Sequence, residues 1–186
     1  FVGQHESIAQ FDFIRDRVII INGVSKGYAM TGWRIGYIAA PKWIAKACNK
    51  IQGQLTSGPS SISQMASVAA LNTESNCIKE MVNAFKRRRD LVVDLAKQIN
   101  GFKVNVPEGA FYLFPEVKSL FGKSDGTRTI NTAKELCMYL LEKAHVAIVP
   151  GCAFGSPDYI RFSYATSDEK LKEAMRRIKT AIDNLK

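Results

Sequence analysis

The sequence predicts an α/β protein in which an incomplete, mostly parallel sheet layer is followed by a long helix and a smaller α+β unit. Arg17–Ile21 ends in a β-branched run without polar alternation, which is typical of a strand covered on both faces of a parallel sheet. Glu74–Asn100 has apolar residues at helical spacing, over a length that often connects two domains. We therefore expect part of a large domain over residues 1–73, a connecting helix over 74–100 and a small domain over 101–186.

The first part of the chain supplies two strands and two helices. The run that ends at Ile21 forms the first strand, and Gly36–Ala40 forms the second, which Pro41 closes. Helical spacing follows at Lys42–Ile51, and again after the turn-rich segment TSGPSS, Thr56–Ser61. Because a buried parallel strand needs neighbours on both sides, two strands leave this layer incomplete.

A long amphipathic helix is expected from Glu74 to Asn100, and Gly101 ends it as a C′ glycine. The apolar stripe of this helix contains Ile78, Met81, Val82, Phe85, Val92, Leu95, Ala96 and Ile99. The strands expected after it are Phe102–Val106, Ala110–Phe114, Val146–Val149 and Tyr159–Tyr164, and the helices are Ile130–Lys143 and Ser167–Leu185. Thr166 and Glu169 are spaced as a capping box for the last helix.

The net charge of +9 raises the question of a nucleic acid or a membrane surface as partner. The dense basic run, Lys86–Arg89, lies in the helical stretch without interleaved aromatic residues, so it is better interpreted as a solvated helix face. No apolar run approaches the roughly 20 residues that a membrane span needs. We therefore expect neither a nucleic acid nor a membrane as partner.

The cysteines are Cys48, Cys77, Cys137 and Cys152. None has C-x-x-C spacing, and His5 and His145 stand alone, so no metal site is expected. Cysteines without a disulfide pattern fit a reducing compartment, and no signal peptide pattern opens the sequence. We therefore expect a cytoplasmic protein.

Two cations lie in the glycine-rich segment GVSKGYAMTGWRIG, residues 23–36, directly after the first strand. Open α/β sheets bind ligands at the carboxyl ends of strands, where Lys26 is expected. Its small and apolar neighbours predict a desolvated amine with a lowered pKa, which can attack a carbonyl carbon. Arg34 supplies a rigid fork that suits a phosphate. A ligand with both groups, such as pyridoxal 5′-phosphate, satisfies both cations, although a lone lysine or arginine here is more often a surface residue.

The same segment resembles, position by position, the lysine signature of the class I/II aminotransferases, the aspartate-aminotransferase-like enzymes of fold type I that use pyridoxal phosphate. Its stretch AMTGWRIGY is similar in sequence to that of the bacterial aspartate and broad-specificity branch. YIRFSYA, Tyr159–Ala165, resembles the family's small-domain strand whose arginine binds the substrate α-carboxylate. VPEGAFYLFPEV, Val106–Val117, resembles its small-domain hairpin. The resemblance covers essentially the whole chain.

The resemblance implies an α/β fold: the C-terminal part of the fold type I large domain, with its mostly parallel sheet, and a small α+β C-terminal domain. It implies that Lys26 binds the cofactor covalently and moves the proton from the substrate Cα. Arg34 would bind the cofactor phosphate, and Ser25 would add a hydrogen bond to the phosphate or the lysine. Arg161 would bind the substrate α-carboxylate. The implied reaction transfers an amino group from an amino acid to a 2-oxo acid.

The residues alone leave the small-domain site open. Arg161 shares a strand face with Tyr159 and Ser163, and it fits an exposed edge-strand arginine as well as a carboxylate ligand. The aromatic residues of the hairpin are better explained as core than as cofactor contacts.

Other parts of the family's active site have no counterpart in this chain. The aspartate that holds the cofactor's pyridine nitrogen, the tyrosine that follows it and the stacking aromatic residue would precede Phe1. We therefore expect a C-terminal fragment that is inactive by itself. Family members act as homodimers, and no arginine for a dicarboxylic substrate lies between Leu55 and Gln64.

Two alternatives to an aminotransferase stay open. A decarboxylase or carbon–sulfur lyase of the same fold uses the same lysine and similar anchors. A catalytically silent binding or dimerisation module would keep the fold without the chemistry.

Overall fold

The computed structural model describes residues 1–72 and 76–186, which form two compact units. The first unit is Gly3–Glu80, and the second unit is Met81–Lys186 together with Phe1–Val2. The division between them falls inside a long helix. The boundary expected between residues 73 and 74, and with it the expected start of this helix, lies outside the described residues.

In the first unit, the glycine-rich segment joins two short strands. The elements are β1 (Ile20–Gly23), α1 (Val24–Gly27), β2 (Gly36–Ala39), α2 (Lys42–Leu55) and α3 (Ser61–Asn72). The strands pair antiparallel, with Ile20 opposite Ala39 and Gly23 opposite Gly36. A Cβ on Gly23 would lie 2.8 Å from the carbonyl oxygen of Ile35, so a glycine is needed where the strands approach.

The expected first strand is displaced, and its expected burial is wrong. Arg17 ends a 3₁₀ helix that begins at Asp12, and β1 begins only at Ile20. Ile21 is 81% exposed, and β2 is the one strand that pairs with β1 in the described part of the chain. The α/β class is unaffected, but the two strands of this unit pair antiparallel rather than parallel. A β-branched run predicts a strand, whereas the number and direction of its neighbours depend on the rest of the sheet.

Helices α2 and α3 turn apolar side chains outward. The exposed apolar residues of these two helices are Trp43, Ile51, Leu55, Ile62, Met65, Val68 and Leu71. The buried residues of α3 are Ser63 and Ser67, and the Ser67 hydroxyl donates to the Ser63 carbonyl oxygen at 2.9 Å. This arrangement inverts the usual distribution on a surface helix, so the apolar face of α3 lacks cover within the first unit.

The second unit combines a three-stranded antiparallel sheet with three helices. The strands are β3 (Tyr112–Leu113), β4 (Val149–Pro150) and β5 (Ile160–Ser163), and the helices are α4 (Asn76–Ala96, from Met81 onward), α5 (Ala133–Ala144) and α6 (Asp168–Asp183). The strand order is β3-β5-β4, which makes β5 the central strand.

The strands of this unit are shorter than the sequence predicts. In the expected strand Phe102–Val106, Lys103 forms an isolated bridge with Glu116 and no strand is formed. The expected strand Ala110–Phe114 is reduced to two residues as β3, and β4 overlaps the expected strand Val146–Val149 only at Val149. β5 is four residues long, and each neighbour pairs with two of them, which limits the ladder.

The hydrophobic core of the chain lies in the second unit. It contains Val92 and Ala96 of α4, Leu136 of α5, Ile160 of β5 and Ile178 of α6, all at most 1% exposed. Burying a side chain of the size of leucine or isoleucine stabilises a fold by roughly 1.5–3 kcal/mol. This core therefore joins the helices and the sheet into one packed unit.

The basic run of α4 is not uniformly solvated. Arg89 is buried, and its guanidinium donates to Asp90 Oδ1 at 2.7 and 2.9 Å and to the Pro107 carbonyl oxygen at 3.0 Å. Arg87 forms an ion pair with Asp168 of α6 at 3.1 Å. The expected solvated face is therefore wrong for Arg89, because acceptors within the unit satisfy its charge.

Candidate functional site

The glycine-rich segment surrounds an open depression of about 660 Å³ in the first unit. Ser25 and Lys26 line it from α1, Arg34 lines it from the turn before β2, and Tyr37 lines it from β2. The structure thus brings together the residues expected to hold a cofactor. Arg161, the expected carboxylate ligand, lies in the second unit.

Lys26 lies on the single turn of α1, directly after β1. Of its expected apolar neighbours, Val24 is buried and anchors the turn, whereas Gly27 and Ala29 are exposed. Lys26 itself is exposed. The expected desolvation of its amine is therefore wrong for this chain, because the lysine is exposed to solvent.

Arg34 ends the 3₁₀ turn Thr31–Trp33 in the left-handed conformation, with φ 57° and ψ 46°. Its Nη1–H donates to the Thr31 carbonyl oxygen at 2.9 Å. A guanidinium has five N–H donors, so most of them are available to a ligand. A non-glycine residue held in this region costs on the order of 1–3 kcal/mol, and such strain is concentrated at functional sites.

The charge at the depression favours an anion. Lys26 and Arg34 line it, and no acidic residue is among the described residues that do so. The carboxylate of Asp12 forms an ion pair with Arg15 at 2.7 Å, on the 3₁₀ helix before β1. A ligand with a carbonyl group and an anionic group would therefore meet the Lys26 amine with the first group and the Arg34 guanidinium with the second.

Arg161 lies on β5, the central strand of the sheet, and is half-buried. The interpretation as an exposed edge-strand arginine is therefore wrong, because β3 and β4 flank it. Its guanidinium carbon lies 4.3 Å from the ring centroid of Tyr112 and 4.0 Å from that of Phe154. Within residues 1–72 and 76–186, no side chain or carbonyl accepts a hydrogen bond from this guanidinium, and no carboxylate forms an ion pair with it.

Sequence reasoning missed the two rings that contact Arg161. Tyr112 was expected to belong to the core with the rest of its hairpin, but it lies opposite Ser163, on the strand face of Arg161. The alternation of β5 could have indicated this face, but the register with β3 is not visible in the sequence. Phe154 lies on the turn after β4, where no periodic pattern indicates its direction.

The described residues contain no cluster of histidine, cysteine, aspartate and glutamate that could hold a metal ion. Within the same residues, no helix combines the length and the apolar character needed to cross a bilayer.

This chain is similar to known proteins over nearly its whole length. The family model described as aminotransferase class I and II matches residues 2–178. An aspartate aminotransferase of Rhizobium meliloti is 52% identical over 173 residues, which are 92% of this chain and 42% of the relative. A bifunctional aspartate aminotransferase and glutamate/aspartate-prephenate aminotransferase of Petunia hybrida is 50% identical over 186 residues, 98% of this chain and 39% of the relative.

Solved structures agree with these relatives. The crystal structure of an aspartate aminotransferase from Rhizobium meliloti superposes with a TM-score of 0.96 at 49% identity, covering 100% of this chain and 47% of that one. An aromatic aminotransferase from Pyrococcus horikoshii has a TM-score of 0.87 at 39% identity, covering 97% of this chain and 47% of that one. The chain thus spans about two fifths of the length of the curated relatives it matches.

Proposed function

The chain belongs to the class I and II aminotransferase family, and from that premise we propose that it is part of a pyridoxal 5′-phosphate-dependent aminotransferase of the aspartate type. Such an enzyme transfers an amino group from an amino acid to a 2-oxo acid. The observation that carries this proposal is that Lys26 and Arg34 line the same depression beside β1 and β2. The alternative enzymes of the same fold have no observation of their own in their favour.

The residues of the depression fit the cofactor. Lys26 would hold its aldehyde, Arg34 would bind its phosphate and Ser25 would form a hydrogen bond with the phosphate or the lysine. When bound, pyridoxal phosphate supplies an electron sink that makes the Cα–H bond of an amino acid easier to break. The Lys26 amine would accept the proton that leaves Cα. The fork of N–H donors on the Arg34 guanidinium suits the oxygen atoms of a phosphate.

Arg161 would bind the α-carboxylate of the substrate. A guanidinium and a carboxylate pair through two parallel hydrogen bonds, which fix direction as well as charge. The absence of an acceptor for this guanidinium among the described residues supports the proposal, because a half-buried cation without one is suited to an anionic ligand.

The rest of the assignment concerns the whole protein. We place residues 1–73 in the large domain, 74–100 in the interdomain helix and 101–186 in the small domain. By analogy with the family, the protein would act as a homodimer, and neither nucleic acid nor membrane would be a partner. The thiols of Cys48, Cys137 and Cys152 support a reducing compartment such as the cytoplasm.

We further propose that the chain by itself does not sustain transamination. The depression lacks a carboxylate among the residues that line it, whereas the electron sink works best when the pyridine nitrogen is held protonated. Aspartate and 2-oxoglutarate should therefore give no sustained turnover with the purified chain. Steady formation of oxaloacetate would contradict this part of the proposal and leave the family membership intact.

Labelling tests the cofactor site separately from turnover. The chain is incubated with pyridoxal phosphate, reduced with borohydride and digested, and the modified lysines are identified by mass spectrometry. We expect the label at Lys26 at low cofactor concentration, and about tenfold or more weaker labelling in Arg34→Gln, since a hydrogen bond to a charged group contributes about 1.5–3 kcal/mol. Arg15→Gln, an exposed arginine outside the depression, is the matched control. Label spread over many lysines would contradict the proposal and favour a silent module.

A further inference from the structure

The aromatic rings around Arg161 form a connected group outside the hydrophobic core. Tyr112 and Phe154 contact the guanidinium, and Phe114 contacts Phe154 edge-on at 6.2 Å and stacks on Tyr159 at 5.1 Å. Neither Tyr112 nor Phe154 belongs to the core cluster or to the residues packed against it. Phe154 is 46% exposed. Core packing therefore does not explain why these two rings lie on the arginine.

The two ring contacts restrict how the Arg161 guanidinium can turn. Its five N–H donors point outward in the plane of the group, whereas an aromatic ring attracts the cation through its face. Two rings within 4.3 Å of the guanidinium carbon restrict its rotation. An arginine on a flexible side chain loses rotamer entropy when it binds, and restriction in advance lowers that cost.

The backbone holds Phe154 in place through the turn that follows β4. A Cβ on Gly151 would lie 2.2 Å from the Ser156 carbonyl oxygen and 2.6 Å from that of Tyr159, so this position excludes any larger residue. The Gly151 N–H donates to the Tyr159 carbonyl oxygen at 2.7 Å. The turn is therefore fixed against the start of β5, the strand that carries Arg161.

Tyr112 is fixed from the other neighbouring strand. It is opposite Ser163 in the antiparallel pair of β3 and β5, and Arg161 is two residues away from that serine on the same face. Diagonal neighbours of this kind are within reach of aromatic and long side chains. β3 and the turn after β4 thus contribute one ring each to the same guanidinium.

We propose that Tyr112 and Phe154 are positioning residues, which hold the Arg161 guanidinium in the orientation that binds a ligand carboxylate through two hydrogen bonds. This inference rests on the proposed carboxylate-binding role of Arg161. It adds that the affinity depends on the faces of the two rings, so that an aliphatic side chain of similar size does not replace them.

The experiment measures carboxylate binding to the purified chain by NMR. Succinate binding is followed through the backbone amide resonances around residue 161 and, where Arg161 is present, through its side-chain Nε–H resonance, with succinamide as the uncharged control ligand. In Phe154→Leu and Tyr112→Leu, we expect affinities for succinate that are about three- to tenfold weaker, as loss of a cation–π contact predicts. Phe154→Tyr and Tyr112→Phe keep a ring face and should bind like the parent chain. Phe102→Leu, a half-buried ring that contacts Phe162 and not Arg161, controls for the loss of an aromatic residue elsewhere in the unit.

The outcomes separate this inference from the proposed function. If Arg161→Lys abolishes succinate binding and the leucine variants bind as tightly as the parent, the positioning role is wrong and the carboxylate role stands. If the parent chain does not bind succinate, or Arg161→Lys binds equally well, the carboxylate role is wrong and the positioning role falls with it. If Phe102→Leu weakens binding as much as Phe154→Leu, the effect is a general loss of structure, and the inference is overturned.

Discussion

Cys137 differs from the other cysteines in its surroundings and therefore in its reactivity. It lies on α5 within the core, and burial, with a smaller contribution from Cys152, raises the pKa of its thiol to about 12. The thiolate is the nucleophile, so we expect iodoacetamide at pH 8 to modify Cys137 roughly a hundredfold or more slowly than the exposed Cys48 and Cys152. A time course analysed by mass spectrometry measures the rates. In denaturant the rates should converge, and equal rates in the folded chain would contradict the placement of Cys137.

Asp125 makes the stability of the second unit depend on acid pH. The Thr127 hydroxyl and the backbone N–H groups of Thr127 and Arg128 donate to its carboxylate at 2.7–2.9 Å and lower its pKa to about 2. A carboxyl group with a lower pKa in the folded state stabilises the fold when ionised. Its contribution is complete above the unfolded pKa of about 4 and is lost as the pH falls through about 2.

The corresponding experiment compares the parent chain with Asp125→Ala. Urea unfolding between pH 6 and pH 2 should show a stability difference that is constant above about pH 4 and shrinks towards pH 2. Asp94→Ala, which removes an exposed carboxylate from α4, is the control for the loss of one negative charge at the surface. A difference that stays constant down to pH 2 would contradict the assigned hydrogen bonds.

Helix α6 begins at Asp168, one residue later than the sequence predicts. The capping box expected from Thr166 and Glu169 is not formed: Ser167 is the N-cap, and its hydroxyl oxygen accepts from the Lys170 N–H at 3.4 Å. Ser167→Ala should therefore reduce the free energy of unfolding by about 1 kcal/mol, whereas Thr166→Ala should have a smaller effect. Chemical denaturation of both variants measures this difference. A larger loss of unfolding free energy in Thr166→Ala than in Ser167→Ala would contradict this assignment and support Thr166 as the N-cap.

The elements differ in how far the sequence could predict them. The helices were predictable because apolar residues repeat along α5 and α6 with a period that one chain segment contains by itself. The strands were not, since β3 and β4 owe their length to pairing with β5, and pairing is a property of three distant segments. Lys26, Ser25 and Arg34 lie in one continuous segment, so their depression was predictable. The rings on Arg161 come from two other elements, and their direction depends on register and on the turn at Gly151.

The two units differ in how much apolar surface they bury. The core cluster runs from Val92 to Leu185 and lies in the second unit. Outside that cluster, the buried hydrophobic residue of the described chain is Val24. The first unit exposes Phe13, Ile21 and Trp43, among other large apolar side chains. Since burial of apolar surface is the main favourable contribution to folding, the second unit should hold most of the stability.

This asymmetry predicts that Met81–Lys186 folds without the first unit. The fragment keeps the whole core cluster and the ion pair between Arg87 and Asp168. It loses Phe1, whose amino group donates to the Glu108 carbonyl oxygen at 2.9 Å and whose ring lies 4.9 Å from the Arg89 guanidinium. We therefore expect cooperative thermal unfolding with a midpoint within several degrees of that of the full chain, because surface contacts of this kind contribute about 1 kcal/mol each.

Circular dichroism and hydrogen exchange measure the prediction in three samples: the full chain, Met81–Lys186 and Gly3–Glu80. In the full chain, slowly exchanging amides should be confined to the second unit, because protection follows buried, hydrogen-bonded structure. Gly3–Glu80 should show no cooperative transition, since few of its apolar side chains are covered. If Met81–Lys186 is unfolded while the full chain is folded, the first unit contributes stability that its exposed surfaces do not account for, and the division of stability between the units is wrong.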